Sequence, residues 1–207
     1  MNKETILKTL KELRKEKKRN FSQTVDLIIN LRNFNIKKES LNLVVDLPHK
    51  IKDKKICAFL NKGSDKVETI TKNEFEKKDT KEIKEISEKY DFFIASAMLM
   101  PNVATTFGRF LGPVGKMPSP QLGILPNEEE KTIQGVIEKV NKSVRIRTKE
   151  PSLKISIGKE EMKDEDIAEN ILIVYNFIIK NLPRKKENIK SILIKFTMSK
   201  PVKIKLN

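Results

Sequence analysis

The chain has 207 residues, 38% hydrophobic and 34% charged, with 43 Lys and Arg against 28 Asp and Glu and a formal charge of +15; it is long enough for one or two domains with a real core, too apolar for disorder, and basic enough to rank an anionic partner (nucleic acid or a membrane surface) above a neutral small molecule. One Cys and one His exclude a disulfide framework and a zinc site of the Cys/His type, and leave a Ser-His-Asp triad to His49 alone. No run approaches the roughly 18 apolar residues of a spanning helix, Ile171 to Ile179 being the densest with Asn176 inside it, and the opening MNKETILKTL lacks a signal-peptide core, so neither a membrane span nor export is expected and the free Cys57 points to the cytoplasm.

In chain order, Lys3 to Lys17 reads as a helix. Val25, Leu27, Ile29 and Leu31 alternate with Asp26 and Asn30, and Leu41, Leu43, Val45 and Leu47 alternate with Asn42 and Asp46. Period two with one wet face predicts strands of a sheet covered on one side. The next apolar segments are different in kind: Ile56 to Leu60 and Phe92 to Ala97 are short and nearly continuous, as in parallel strands buried on both faces. Helices are expected near Lys81–Lys89 and Glu128–Asn141. One-sided alternation then returns in Leu153, Ile155 and Ile157, in Ile192, Ile194, Phe196 and Met198, and in Val202, Ile204 and Leu206. Between them lies a helix over 164–182, with Ile167, Ile171, Val174, Ile178 and Leu182 on one face, Asp164, Glu165 and Asp166 in its first turn and Pro183 at its stop.

Charge respects the same division. Residues 1–50 hold 12 basic and 6 acidic side chains, 51–143 hold 16 and 14, and 144–207 hold 15 and 8. The excess therefore sits in the two ends, whose alternation is that of a folded sheet and not of tails. The expected fold class is α/β: an α+β basic domain made discontinuously from 1–50 and 144–207, and an inserted Rossmann-like βαβ domain at 51–143. Several outward strand positions are Lys. Each could be a solvated charge, but no acid occurs after Glu187, which shifts Lys190, Lys195, Lys200, Lys203 and Lys205 toward phosphate contact.

The stretch Gly108 to Pro120 (GRFLGPVGKMPSP) holds three of the seven Gly and three of the nine Pro, and no acid occurs from Phe92 to Asn127. It does not fit a phosphate-cradling P-loop, because Phe110 stands where Gly is required and Met117 where a hydroxyl is required. It reads as a rigid surface loop after a helix, whose Arg109 and Lys116 could touch a phosphate backbone. His49 has no second ligand and reads as a strand-end residue, Cys57 as inert core, and Asp164–Asp166 as helix capping. No constellation supports catalysis, and neither a cofactor nor a metal is expected.

LGPVGKMP resembles the LGPxGxMP signature of the L-one family of large-subunit ribosomal proteins, which form the mobile stalk beside the tRNA exit site. Further landmarks are similar and in family order: Arg19-Asn20-Phe21, Leu47-Pro48-His49, Asp91-Phe92-Phe93-Ile94-Ala95, Ile157-Gly158-Lys159, Glu169-Asn170-Ile171 and Phe196-Thr197-Met198. They cover about 19 to 204, and the LPH and DFFIA forms look archaeal. The resemblance implies a first domain that grips large-subunit ribosomal RNA, with a second domain inserted through two hinge strands. It implies RNA contacts at Arg19, Phe21, Thr24, Lys154, Lys159, Lys195, Thr197, Met198 and Ser199, the Thr197-Met198 pair lying in a strand-end turn on ribose and backbone. It implies a possible tRNA or RNA contact in the second domain at Arg109, Gly112, Gly115 and Lys116.

The partners so implied are the large ribosomal subunit and its RNA, exit-site tRNA, and the chain's own mRNA, whose translation it would repress, with a free protein that is monomeric. Two departures bear on the site: Ser199 stands where the family has Gly, and Val114 where it has Arg. Phe21 shares the odd parity of Val25 and Leu27, so a core position is its alternative. Two other functions compete: a DNA-compacting protein, which the landmark series argues against, and a nucleotide-using enzyme on the middle unit, which lacks a phosphate loop, a metal cluster and a base.

Overall fold

The computed structural model of the protein describes residues 2–16, 19–36, 39, 41–75, 79–148 and 150–205. Lys17 and Leu206, at the ends of an expected helix and an expected strand, lie outside the described residues. The chain divides into two compact units, Met1–Lys52 with Lys142–Asn207, and Asp53–Asn141.

The first unit is built on an antiparallel four-stranded sheet. Its order is β10 (Val202–Ile204), β9 (Ile189–Phe196), β1 (Thr24–Leu31), β8 (Ser152–Lys159). Val25, Leu27, Ile29 and Leu31 of β1 point inward and are buried, with Ile192, Ile194 and Phe196 of β9 and Leu153, Ile155 and Ile157 of β8. Helices α1 (Lys3–Leu13) and α6 (Asp164–Asn181) complete that core through Ile6, Leu10, Leu13, Ile167, Ile171, Val174 and Ile178.

Residues 41–47 do not join this sheet. Asn42–Asp46 (β2) instead pairs with Ser143–Arg147 (β7) in a separate two-stranded ribbon. Alternation reports which face of a strand is buried, not which strand is its partner.

Three landmark segments meet in one buried clasp. Asn170 is fully buried on α6; its Nδ2 donates to the carbonyls of His49 (3.0 Å) and Ile157 (2.9 Å), and its Oδ1 accepts from the His49 amide (3.2 Å). At the solvent-exposed edge of this clasp, His49 Nε2 lies 2.8 Å from Glu169 Oε2, and Lys3 Nζ lies 2.7 Å from Glu169 Oε1. His49 is thus a structural partner of α6.

The second unit is a parallel sheet of order β4 (Glu68–Thr71), β3 (Ile56–Leu60), β5 (Phe92–Ser96), β6 (Ile124–Leu125). Every residue of β3 and β5 is buried, as their continuous apolar runs require. On one face Phe59 stacks on Phe93 at 5.6 Å and meets Phe107 at 4.8 Å, with Phe75 edge-on to both Phe59 and Phe107. The helices are α2 (Lys72–Phe75), α3 (Thr80–Lys89), α4 (Met100–Val114) and α5 (Glu130–Lys142).

The expected Gly/Pro loop from Gly108 is half helix. Gly108, Gly112 and Pro113 belong to α4, which ends only at Gly115, a left-handed cap at φ 77°. Val103, Phe107 and Leu111 bury one stripe of that helix, and this burial outweighs the poor helix propensity of its glycines and proline. Pro113 falls in the last turn, near the end that Gly115 closes.

The Asn170 clasp can be tested in two ways. Asn170→Ala leaves three backbone groups without their partner, so stability should fall by about 2–4 kcal/mol; urea unfolding that shows a loss below about 1 kcal/mol would contradict a structural clasp. The hydrogen bonds from His49 and then Lys3 hold the Glu169 carboxyl at about 2, against an ordinary 4.5. A depressed carboxyl stabilises the fold fully above its unfolded value and loses that contribution as pH falls from about 4.5 toward 2. Melting temperatures of the parent and Glu169→Gln should therefore differ at neutral pH and converge below pH 3; a difference independent of pH would contradict the assignment.

Candidate nucleic-acid interface

The outer face of the four-stranded sheet is organised in cross-strand rows. Thr24 pairs with Lys159 of β8 and lies beside Thr197; Asp26 lies between Ser156 and Lys195; Ile28 lies between Lys154 and Leu193; Asn30 lies between Ser152 and Ser191. Five of the residues implied by the resemblance (Thr24, Lys154, Lys159, Lys195 and Thr197) thus share one surface.

Lys159 reaches that surface through an irregularity. Its odd number matches the inward Leu153, Ile155 and Ile157, and an unbroken β8 would point it into the core. The register instead shifts between Val25 and Asp26, so that Val25 opposes Gly158 and Thr24 opposes Lys159. This is a β-bulge, which inserts a residue and reverses the facing of the residues after it. Gly158 also sits so close to α6 that a Cβ there would lie 3.0 Å from Ile167 Cγ1, which explains the glycine between Ile157 and Lys159.

At the end of this face two large apolar side chains are exposed, Phe21 at 54% and Met198 at 62%. Phe21 precedes β1 and is not core. Met198 lies in a turn beyond the last residue of β9, so the inward position that alternation assigns it is corrected: the strand stops at Phe196. The Thr197 amide donates to the Thr24 carbonyl (3.1 Å), and the Thr197 hydroxyl accepts from the Thr24 amide (3.2 Å). Gln23, which no sequence motif singles out, is buried and accepts the Met198 amide on Oε1 (3.2 Å), while its own amide groups reach Glu160 Oε2.

Ser199 closes the same turn. Its Oγ accepts from the Phe196 amide at 2.8 Å and its amide donates to the Phe196 carbonyl at 3.1 Å. Its φ is not positive, so a side chain at this position is unstrained.

Arg19, Phe21 and Ser22 line an open hollow of about 460 Å³ with Arg14, Glu160 and Glu161. Arg14 is spent internally: Nε donates to Asp164 (2.6 Å), Nη1 to the Glu160 carbonyl and Nη2 to the Met162 carbonyl (both 2.8 Å). Arg19 is exposed. Lys154 pairs with Glu150 at 3.1 Å, an exposed ion pair of little strength that a phosphate can replace.

In the second unit, Arg109 is exposed on α4 and Gly112 is helical, a correction to its place in a loop. Lys116 is also not the free cation expected. Its Nζ donates to the carbonyls of Ser87 (2.7 Å) and Tyr90 (2.8 Å), at the C-terminal end of α3, where a cation complements the helix dipole. Val114 is 53% exposed.

The ribosomal protein L1p/L10e family model matches residues 13–200. The chain is 36% identical to the large ribosomal subunit protein uL1 of Nanoarchaeum equitans, over 94% of this chain and 97% of that protein. It is 38% identical to that of Pyrobaculum calidifontis, over 99% and 95%, and 35% identical to that of Pyrococcus abyssi, over 99% and 97%. A match over nearly the whole of each chain, through every landmark segment from Arg19 to Met198, makes this chain a member of the ribosomal protein L1p/L10e family, of archaeal type.

Proposed function

We propose that the first unit holds large-subunit ribosomal RNA against the sheet end formed by Lys159, Thr24 and Thr197, with Phe21 and Met198 on its rim. The chain is a structural protein of the large ribosomal subunit, placed on the cytoplasmic ribosome, and not an enzyme. The observation that carries the RNA reading is the pairing of two exposed apolar side chains with a hydrogen-bonded turn and cations on one face. Apolar groups can stack on bases or pack on ribose, and the turn brings backbone and a short side chain near a 2′-hydroxyl. Lys154, Lys159, Lys195 and Arg19 add phosphate attraction that positions the RNA.

The same face would serve the chain's own mRNA if that RNA folds to the same shape, which is the basis for autogenous repression. Contact with exit-site tRNA is assigned to the exposed Arg109 of the second unit, and Lys116 is withdrawn from it because of its carbonyl partners.

Phe21→Ala and Met198→Ala are the cleanest probes, because both side chains are more than half exposed. Unfolding free energies should change by less than about 0.5 kcal/mol, while affinity for large-subunit RNA should fall about tenfold or more, the worth of one lost stacking contact. Filter binding beside urea unfolding separates the two; unchanged affinity in both variants would refute the site.

Selectivity is a second test. A folded ribosomal RNA fragment and a DNA duplex of equal length should both bind at low salt. The RNA preference should then persist as salt rises, since contacts to shape and 2′-hydroxyl are screened less than exposed charge pairs. Equal binding that vanishes together would support a DNA-compacting protein.

A further inference from the structure

The opposite end of the same sheet carries a second basic surface. β1 leaves the sheet at Leu31, about 23 Å from Thr24 at the rise of an extended strand, and β9 enters beside it at Ile189. Around this point lie Arg32, Arg184, Lys185, Lys186 and Lys190, all exposed, and Glu187 is the single acid from Pro183 to Lys190.

The two turns from which these cations project are joined by a knot. Asn188 is buried at 1% exposure; its Nδ2 donates to the carbonyls of Arg32 (3.1 Å) and Asn33 (3.2 Å), and its Oδ1 accepts from the Arg184 amide (2.7 Å). The Arg32 amide donates to the Asn188 carbonyl (2.7 Å), and Arg32 Nε donates to the Glu187 carbonyl (2.7 Å). One buried side chain therefore joins two separate turns. Among the described residues only Asn33 (φ 52°) and Lys185 (φ 49°) are non-glycine residues at positive φ, and both belong to this knot. A lysine is a poor choice for the left-handed region, and backbone outliers of this kind concentrate where a surface is held in a set shape for use.

We infer that the Asn188 knot is a second phosphate-binding surface, which takes backbone phosphates of the RNA bound at the Phe21–Met198 end. The inference rests on the proposed RNA reading for its partner. Nucleic acid is the occupant we commit to, because five exposed cations stand here against one acid and phosphate contact needs only positioned cations. The half-buried Phe34 and Ile36, which line an open hollow beside Asn33 with Pro151, are the apolar groups a protein neighbour would use instead.

Two measurements on the full chain test it. Cys57 is the chain's one cysteine and is buried, so Glu187→Cys or Asn20→Cys, at exposed neighbours of the two surfaces that make none of the proposed contacts, offers a single accessible thiol for an iron–EDTA tether on the protein bound to full-length large-subunit RNA. Hydroxyl-radical cuts are expected from both tethers, at different nucleotides. In parallel, the combined variant Arg184→Gln, Lys185→Asn, Lys186→Gln, Lys190→Gln removes charge and leaves Asn188 in place; asparagine tolerates the left-handed backbone at 185. Its log affinity should fall less steeply with log salt, by about 0.7–0.9 per lost phosphate contact, with an unchanged melting temperature, whereas Phe21→Ala should lower affinity at an unchanged slope. Cuts from position 20 with none from 187, or an unaltered slope, would overturn the inference and leave the first site standing. An unaltered slope on naked RNA together with weaker retention in assembled subunits would assign the knot to a protein neighbour instead. Cuts from neither tether would remove the RNA reading itself.

Discussion

The hydrogen bond from Asn170 Nδ2 to the Ile157 carbonyl underlies the end of the sheet at which Lys159, Thr24 and Thr197 meet. It ties α6 to β8 at the residue where β8 bulges. The same helix presses Ile167 against Gly158, so closely that no larger residue fits without a shift. Helix and bulge thus define each other: the amide side chain holds the extra residue, and the glycine admits the helix. Because a bulge reverses facing, this buried contact decides that Lys159 stands beside Thr24 on the outer face and not within the core. An interior polar group, fully satisfied, specifies an exterior array of functional groups.

That array is less positive than the chain's overall charge suggests. Asp26 lies in the middle of it, accepting from the Ser156 hydroxyl at 2.9 Å, and Glu160 organises the Gln23 turn. Asn30 bridges Ser152 and Ser191 in the same manner, at 2.8 and 2.9 Å. These are neutral or internally satisfied groups on a sheet whose lysines stand on the two strands that flank β1. The arrangement separates two tasks. In the proposed RNA reading the net charge of +15 would draw a polyanion in from a distance, while within a Debye length of about 8 Å the polar rows and the exposed Phe21 and Met198 would meet particular groups of the RNA.

Much of this was legible in the sequence, for a physical reason. A strand with one buried face must alternate, so 25–31, 153–157 and 192–196 declared both their structure and their inward side. A strand buried on both faces must be apolar throughout, so Ile56–Leu60 and Phe92–Ser96 did likewise. What was not legible were departures from period. The bulge at Gly158 changes the facing of Lys159 without changing a residue type. The end of β9 turns Met198 outward although its parity matches Phe196. α4 hides behind Gly108, Gly112 and Pro113, whose local preference is for loops, because its stability comes from the contacts of Val103, Phe107 and Leu111. The partner of β2 is some hundred residues away and leaves no mark on β2 itself.

The second unit illustrates how a fold can carry the geometry of a function without its chemistry. In doubly wound sheets, ligand phosphates bind beyond the carboxyl ends of the strands where the order reverses, here between β3 and β5. The donors at that point already have an anion. The Asn61 amide lies 3.2 Å from both Glu128 carboxylate oxygens, and Asn61 Nδ2 donates to Oε1 at 2.6 Å. Burial works against the ionised Glu128, yet hydrogen bonds from the Asn61 amide, Ser96, the Asn61 side chain and the Lys62 amide hold its carboxyl below the usual range, so it is charged at neutral pH. An incoming phosphate would have to displace this internal carboxylate from its donors and then sit beside its charge. The charge of Glu128 thus disfavours a nucleotide phosphate at this point of the fold.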